Sequence, residues 1–176
     1  MHKDVKEILY SHDEIVLKCK ELGETITNDY QGKSLLLVGL LKGSVPFLAE
    51  LSKYIDLDVE FDYMDVSSYS GTQSNSVTIK KNIEVDIVGK NILLVEDILD
   101  TGKTLTTVKA MLLEEGAASI EIATLLDKKE ARQFPIEAKY AGYVIPNAFV
   151  VGFGLDYDEK YRNLPYVGIL KEEVYQ

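Results

Sequence analysis

Cysteine is almost absent from this chain. A single one, Cys19, stands in 176 residues, which excludes an internal disulfide and fits a reducing compartment. Long apolar runs are missing too. No stretch approaches the ~20 residues that a membrane helix needs. The first residues, with His2, Lys3, Asp4, Lys6 and Glu7, lack the apolar segment of a signal peptide. These absences predict a cytoplasmic protein without membrane contact. Positive charge is scarce: 19 Lys and Arg stand against 29 Asp and Glu, a formal net charge of −10. A surface of that sign disfavours nucleic acid as a partner. It would also repel an anionic substrate, unless the site gathers local cations, backbone N–H groups and Mg2+. Internal repeats and linkers are absent, so 1–176 reads as one domain. With 46% hydrophobic and 27% charged residues, the chain has a globular composition.

What is present is an alternation of strand and helix patterns. Ser11 and Glu14 fit a capping box. Ile15, Cys19, Leu22 and Ile26 then recur at helical spacing, so 11–29 reads as a helix with Cys19 on its buried face. Residues 34–40 read as a buried strand. Ser44-Val45-Pro46 opens a second helix, with Pro tolerated in the first turn, and Phe47, Leu48, Leu51 and Ile55 form its apolar face. A strand at 57–66 leads into a loop at 67–76, rich in Ser, Gly, Thr and Asn. Residues 77–84 return, giving a hairpin with that loop at its tip. Strands follow at 91–96, 119–126, 140–145, 148–152 and 166–170, with a helix at 103–115 that stops at Gly116. The order predicts an α/β fold, a mostly parallel central sheet flanked by helices.

The densest chemistry lies in Val95-Glu96-Asp97-Ile98-Leu99-Asp100-Thr101-Gly102-Lys103-Thr104-Leu105. A buried strand precedes this segment and a helix follows it. A parallel strand that ends in a polar loop opening a helix is where α/β folds bind ligands. Thr101, Gly102, Lys103 and Thr104 offer amides, hydroxyls and a positive helix end to an anion. Glu96 and Asp97 do something else. They suit a pair of sugar hydroxyls, or Mg2+ bridged to them. The loop therefore reads as a cradle for a ribose 5-phosphate. It is not a Walker A loop, which needs Gly where Asp97 stands. Nor is there a dinucleotide fingerprint: Gly152-Phe153-Gly154 is the only G-x-G, and Tyr157 takes the place of its third Gly.

Residues 95–105 resemble the phosphoribosyl-pyrophosphate signature of the type I phosphoribosyltransferase family. Four more segments resemble that family, in its order. Leu41-Lys42-Gly43-Ser44 resembles its pyrophosphate loop, and Ser67-Ser68-Tyr69 the start of its mobile lid. Leu125-Leu126-Asp127-Lys128 and the run from Pro146 to Tyr157 resemble its purine-binding segments, in the branch that acts on 6-oxopurines. The resemblance covers nearly the whole chain and is to the short bacterial form.

The resemblance implies a small hood beside the central sheet and a mobile hairpin loop. It implies a purine-salvage enzyme that moves the 5-phosphoribosyl group of phosphoribosyl pyrophosphate to hypoxanthine or guanine, giving IMP or GMP. A xanthine-preferring enzyme and a regulator that only binds phosphoribosyl pyrophosphate are the alternatives. The presence of Asp100 and the acidic charge argue against the regulator. By the same resemblance, Glu96 and Asp97 hold the ribose hydroxyls. Asp100 is the general base at purine N7 and opens the phosphate loop that Thr101, Gly102, Lys103 and Thr104 complete. Gly102 lets the backbone approach the phosphate. Lys103 reads equally as a solvated charge, because the backbone carries the binding. Leu41, Lys42 and Gly43 present N–H groups to pyrophosphate, through a cis peptide between Leu41 and Lys42. Arg162 contacts pyrophosphate, with Arg132 as a second candidate. Lys128 donates to the 6-oxo group, Phe149 stacks on the base and the Val150 backbone reads its edge. Glu96 and Asp97 serve one Mg2+, and Asp156, beside the purine segment, serves a second. Ser68 and Tyr69 begin the lid. A homodimer or homotetramer is implied.

Overall fold

The structure is a computed structural model that describes residues 1–68 and 77–175. Tyr69 and the rest of the expected lid lie outside the described residues, and of Ser68 only the backbone is described.

Six strands form the central sheet. In chain order they are β2 (Leu35–Leu41), β3 (Val59–Ser68), β4 (Val77–Lys81), β5 (Asn91–Leu99), β6 (Ser119–Asp127) and β7 (Tyr140–Val144). Their order across the sheet is β4-β3-β2-β5-β6-β7. All pairs are parallel except β3 with β4, which closes the hairpin expected from the sequence. A second, antiparallel sheet holds β1 (Val5–Tyr10), β9 (Val167–Leu170) and β8 (Val150–Val151) in the order β1-β9-β8. The two late segments expected as strands thus belong to this hood and not to the central sheet. Strand β1 was not anticipated.

The central strands are apolar on both faces because both are covered. In β2, Leu35 to Leu40 are all buried, the near-continuous run that a parallel strand needs. One face packs against helix α1 (His12–Asp29) and helix α2 (Ser44–Ser52) through Ile15, Cys19, Ile26, Phe47, Leu48 and Leu51. The other packs against helix α3 (Lys103–Glu114) through Leu105, Val108 and Leu112. Removing each such large side chain from water contributes about 1.5–3 kcal/mol. Ser11 caps α1 as expected: its Oγ accepts from Glu14 N, and Ser11 N–H donates to the Glu14 carboxylate at 2.8 Å. Cys19 is fully buried, and burial pushes its thiol up to about 12, so it is core and not a nucleophile. A four-residue helix, α4 (Glu172–Tyr175), ends the described chain.

The sheet order fixes where a ligand can sit. From β2 the chain crosses through α2 to β3 on one side; from β5 it crosses through α3 to β6 on the other. The order therefore reverses between β2 and β5. Such a switch point opens a crevice at the carboxyl ends of the two strands. The segments leaving it are 41–43 and 97–102, two of those singled out in the sequence.

Candidate active site

Strand β5 carries the paired carboxylates farther into the sheet than the sequence suggested. It runs to Leu99 and stays paired with β6 through Leu99 and Asp127. Glu96 is a strand residue as expected, and Asp97 belongs to the strand too and not to the loop. Strand pairing fixes their backbone, which suits groups that must present two oxygens to a diol.

Their surroundings are dry. Asp97 is 7% exposed, and its Oδ1 accepts from Ile98 N at 2.7 Å. Burial pushes its carboxyl up to about 6, against the pull of that amide and of the Arg162 guanidinium, with Asp156 adding to the rise. Burial, then the neighbouring Asp97, raises Glu96 well above the usual range. Glu96 Oε2 is buried with no protein partner. Two adjacent carboxylates raised by burial, one with an unused oxygen, suit a cation or a sugar hydroxyl.

This pair gives a pH-dependent stability with a defined sign. An aspartate titrates near 3.9 when unfolded. A folded value raised to about 6 stabilises the fold fully below ~4 and is lost as pH rises through 6. Asp62 and Glu50, whose carboxyls are lowered, act in the opposite sense and below this window. The melting temperature of the ligand-free protein should therefore fall between pH 4.5 and 7. Asp97→Asn should remove on the order of 2 kcal/mol of that fall. An equally steep profile in the variant would show that Asp97 is ionised without penalty.

The loop after β5 is built for close approach. Gly102 has φ +85° and is the N-cap of α3. A side chain there would collide with Ile136, whose Cγ2 lies 2.5 Å from the Cβ position. Gly102 offers no capping side chain, and Lys103 N–H donates to Thr101 Oγ1 at 3.4 Å. The first turn of α3 borders a hollow lined by Glu96 and residues 98–105, and a helix start beside a hollow is where a phosphate is commonly received. Lys103 and Thr104 both border it. Asp100 is exposed at its edge.

Arg132 holds this loop from behind. Its Nε donates to Asp100 O at 2.8 Å, and its terminal nitrogens donate to Leu99 O, Ile136 O and the buried Asp127 carboxylate. Gln133 and Phe134 N–H groups both donate to Thr101 O. The guanidinium is spent on the scaffold, which corrects the expectation that Arg132 contacts pyrophosphate. Lys128, half-buried at the end of β6, is tied to the same loop through its N–H to Leu99 O at 3.0 Å.

The loop after β2 meets these carboxylates. The Leu41–Lys42 peptide is cis. A Cβ at Gly43 would stand 1.8 Å from Asp97 Oδ2, so the Asp97 carboxylate packs directly on the Gly43 backbone. Gly154, at φ +101°, faces the same residue, its Cβ position 1.9 Å from Gly43 O. Segments 41–43, 96–104 and 152–162 therefore converge at one point. Arg162 closes it. Its NH1 donates to Gly154 O at 2.8 Å and its NH2 pairs with Asp156 Oδ1 at 3.0 Å, while its Nε is buried without a protein partner. Ser44 Oγ, at the start of α2, is another buried atom without a protein partner. Such groups concentrate where a ligand completes them.

Asp156 influences Asp97 electrostatically but forms no three-carboxylate cage with it. Among the described residues no group of three or more His, Cys, Asp or Glu could hold a metal ion. The donor set therefore fits Mg2+ only as a shared ion, held by one or two carboxylates with substrate oxygens and water completing the shell.

Phe149 lies on the hood side, 37% exposed. The Tyr175 ring stacks on it at 4.9 Å and the Tyr157 ring meets it edge-on at 5.5 Å. Val150 is buried in β8. Tyr175 has no sequence signal of its own and was missed.

The fold that brings these segments together is shared with known phosphoribosyltransferases. Residues 5–158 match the phosphoribosyl transferase domain family, and the chain belongs to it. A hypoxanthine-guanine phosphoribosyltransferase of Streptococcus pneumoniae is 55% identical over 177 residues, which cover 99% of this chain and 98% of that protein. The crystal structure of a hypoxanthine phosphoribosyltransferase from Staphylococcus aureus superposes with a TM-score of 0.97 at 51% identity, covering 100% of this chain and 97% of that one. That of the Trypanosoma cruzi enzyme, in complex with its product IMP, superposes at 0.94 and 37% identity, covering 99% of both chains.

Proposed function

We propose that this site transfers the 5-phosphoribosyl group of phosphoribosyl pyrophosphate to hypoxanthine or guanine, releasing pyrophosphate and IMP or GMP. The observation that carries this reading is the contact of Gly43 with Asp97. It seats the pyrophosphate loop against the ribose carboxylates, with the phosphate hollow beside them at the carboxyl end of the same strand. One substrate with a phosphate, a diol and a pyrophosphate spans all three.

Each residue then has a defined task. The α3 amides and residues 101–104 bind the 5-phosphate. Glu96 and Asp97 orient the ribose. The 41–43 backbone and Arg162 receive the pyrophosphate. Lys128 donates to the 6-oxo group, Phe149 offers its exposed area to the base, and the Val150 backbone reads its edge. Asp100 takes the proton that the purine sheds as its nitrogen attacks the sugar. Glu96, Asp97 and Asp156 would hold Mg2+, which would supply charge neutralisation for the departing pyrophosphate. Holding the reactants in register can itself remove several kcal/mol of barrier. We further read 1–176 as one such domain, cytoplasmic and assembled as a homodimer or homotetramer. No described helix is long and apolar enough to cross a membrane.

A spectrophotometric assay tests the reading, with phosphoribosyl pyrophosphate, Mg2+ and each 6-oxopurine in turn. Hypoxanthine and guanine should turn over. Excess chelator should abolish the reaction and added Mg2+ restore it. Inactivity towards every 6-oxopurine would sink the function, and full turnover in chelator would sink the part given to the metal.

A further inference from the structure

We propose that Glu159 is a built-in competitor of pyrophosphate: its carboxylate bridges Lys42 and Arg162 and must be displaced when the ligand's oxyanions arrive. The inference rests on the reading of 41–43 and Arg162 as the pyrophosphate subsite.

Glu159 Oε2 accepts from Lys42 Nζ at 2.9 Å and lies 3.5 Å from Arg162 NH2. Lys42 comes from the loop after β2, and Arg162 from a loop more than a hundred residues later. One oxyanion between two cations from separate loops is the arrangement that a phosphate oxygen would adopt. The local backbone aims the carboxylate there. Asp158, Glu159 and Tyr161 all have positive φ, at 53°, 60° and 74°. Side chains rarely adopt this conformation in sequence, and it persists where the surroundings over-determine it. The surroundings are visible. Glu159 N–H donates to Asp156 Oδ2 at 2.9 Å, and Tyr161 Oη donates to Asp4 Oδ2 at 2.9 Å, anchoring the loop to the N-terminal segment.

Two further features point to exchange and not to a permanent ion pair. The Glu159 and Lys42 side chains are 65% and 66% exposed, so the carboxylate can swing out without disturbing the core. Arg162 is held independently by Gly154 O and Asp156, and its buried Nε keeps a donor unused. Losing Glu159 therefore leaves the guanidinium in place. A polyanion outbids one carboxylate at these cations, but the displaced carboxylate remains on the rim as a like charge. Glu159 thus weakens the grip on pyrophosphate in substrate and product alike, which favours product release.

Steady-state kinetics on Glu159→Gln and Glu159→Asp test this, with pyrophosphate inhibition measured alongside. Glu159→Gln should lower both the KM for phosphoribosyl pyrophosphate and the inhibition constant of pyrophosphate by about two- to fivefold, the range of exposed ion pairs. The KM for hypoxanthine should stay put. Glu159→Asp keeps the charge on a shorter stem and should fall between the parent and the amide. In a Lys42→Met background the gain from Glu159→Gln should shrink. A raised or unchanged KM for phosphoribosyl pyrophosphate in Glu159→Gln would overturn the proposal, making Glu159 a prop for its loop. Calorimetry of the parent protein with Mg2+ and pyrophosphate separates the two levels. Binding there with an inert Glu159→Gln overturns the competitor alone, whereas no binding removes the subsite and the proposal with it.

Discussion

Asp100→Asn should lower kcat by roughly 10²–10⁴-fold, the span of general acid–base catalysis, while the KM for phosphoribosyl pyrophosphate moves much less. The expectation follows from where the residue sits. Asp100 is the first residue beyond β5 and is exposed at the edge of the phosphate hollow. Its backbone is anchored independently of its side chain, because Arg132 Nε donates to Asp100 O. Replacing the carboxylate by an amide of nearly the same shape therefore leaves the loop standing and removes only the base. A group needed as the purine sheds its proton acts in the transition state, so its loss is read in kcat. Glu96 and Asp97 are a contrast. They hold the sugar before and during reaction, so Glu96→Gln and Asp97→Asn should chiefly raise the KM for phosphoribosyl pyrophosphate. Steady-state kinetics on the three variants in saturating Mg2+ separates the roles. If Asp100→Asn turns over near the parental rate, its carboxylate is only a loop residue and another group is the base.

Much of this site was legible because its signals are local. Ser11 and Glu14 interact three residues apart, and the structure shows both hydrogen bonds of the box. The 95–105 segment compresses strand, carboxylates and helix start into one stretch, and the hollow forms there. What escaped was carried by distance or by irregularity. Strand β1 pairs with β9 through two register shifts, between Val5 and Glu7 and between Ile8 and Tyr10. Each shift breaks the two-residue alternation by which a strand is recognised. The strand was expected to end at Glu96 because a charged Asp97 follows it, yet it continues to Leu99, since a cleft at a sheet's carboxyl edge accepts polar side chains. Arg132 looked like a substrate ligand because an isolated arginine carries no record of its partners. Its partners are three backbone carbonyls and Asp127, and no side-chain pattern encodes carbonyls. Glu159 is hidden for the same reason: its meaning lies in Lys42, a loop away in space and far off in sequence.

Gly43→Ala should be damaging out of proportion to its single methyl, and it discriminates sharply because ordinary backbone reasoning predicts the opposite sign. Gly43 has φ −64° and ψ −33°, a conformation that alanine adopts freely, at the N-cap of α2. Replacing glycine by alanine at such a position commonly stabilises a protein by about 0.4–1 kcal/mol, through the entropy of the unfolded chain. Here the added carbon would stand 1.8 Å from Asp97 Oδ2 and 2.6 Å from Asp97 Cγ. One of the two must move. Asp97 is fixed by its place in β5 and by the bond from Ile98 N, and Gly43 O is pressed by Gly154 from the other side. The pyrophosphate loop and the ribose carboxylate are thus pushed apart, and misplacement of ~1 Å can cost about 100-fold in rate. The variant should lose at least that much in kcat/KM for phosphoribosyl pyrophosphate. Gly32→Ala is the control. Its Cβ position has nothing within 4 Å, so the cost there is conformational alone, from φ +72°, and activity should persist. Kinetics and thermal melting on both variants decide the matter. A Gly43→Ala protein with parental kcat/KM would mean that Asp97 and the pyrophosphate loop do not share one packed contact, and the reading built on it would fall.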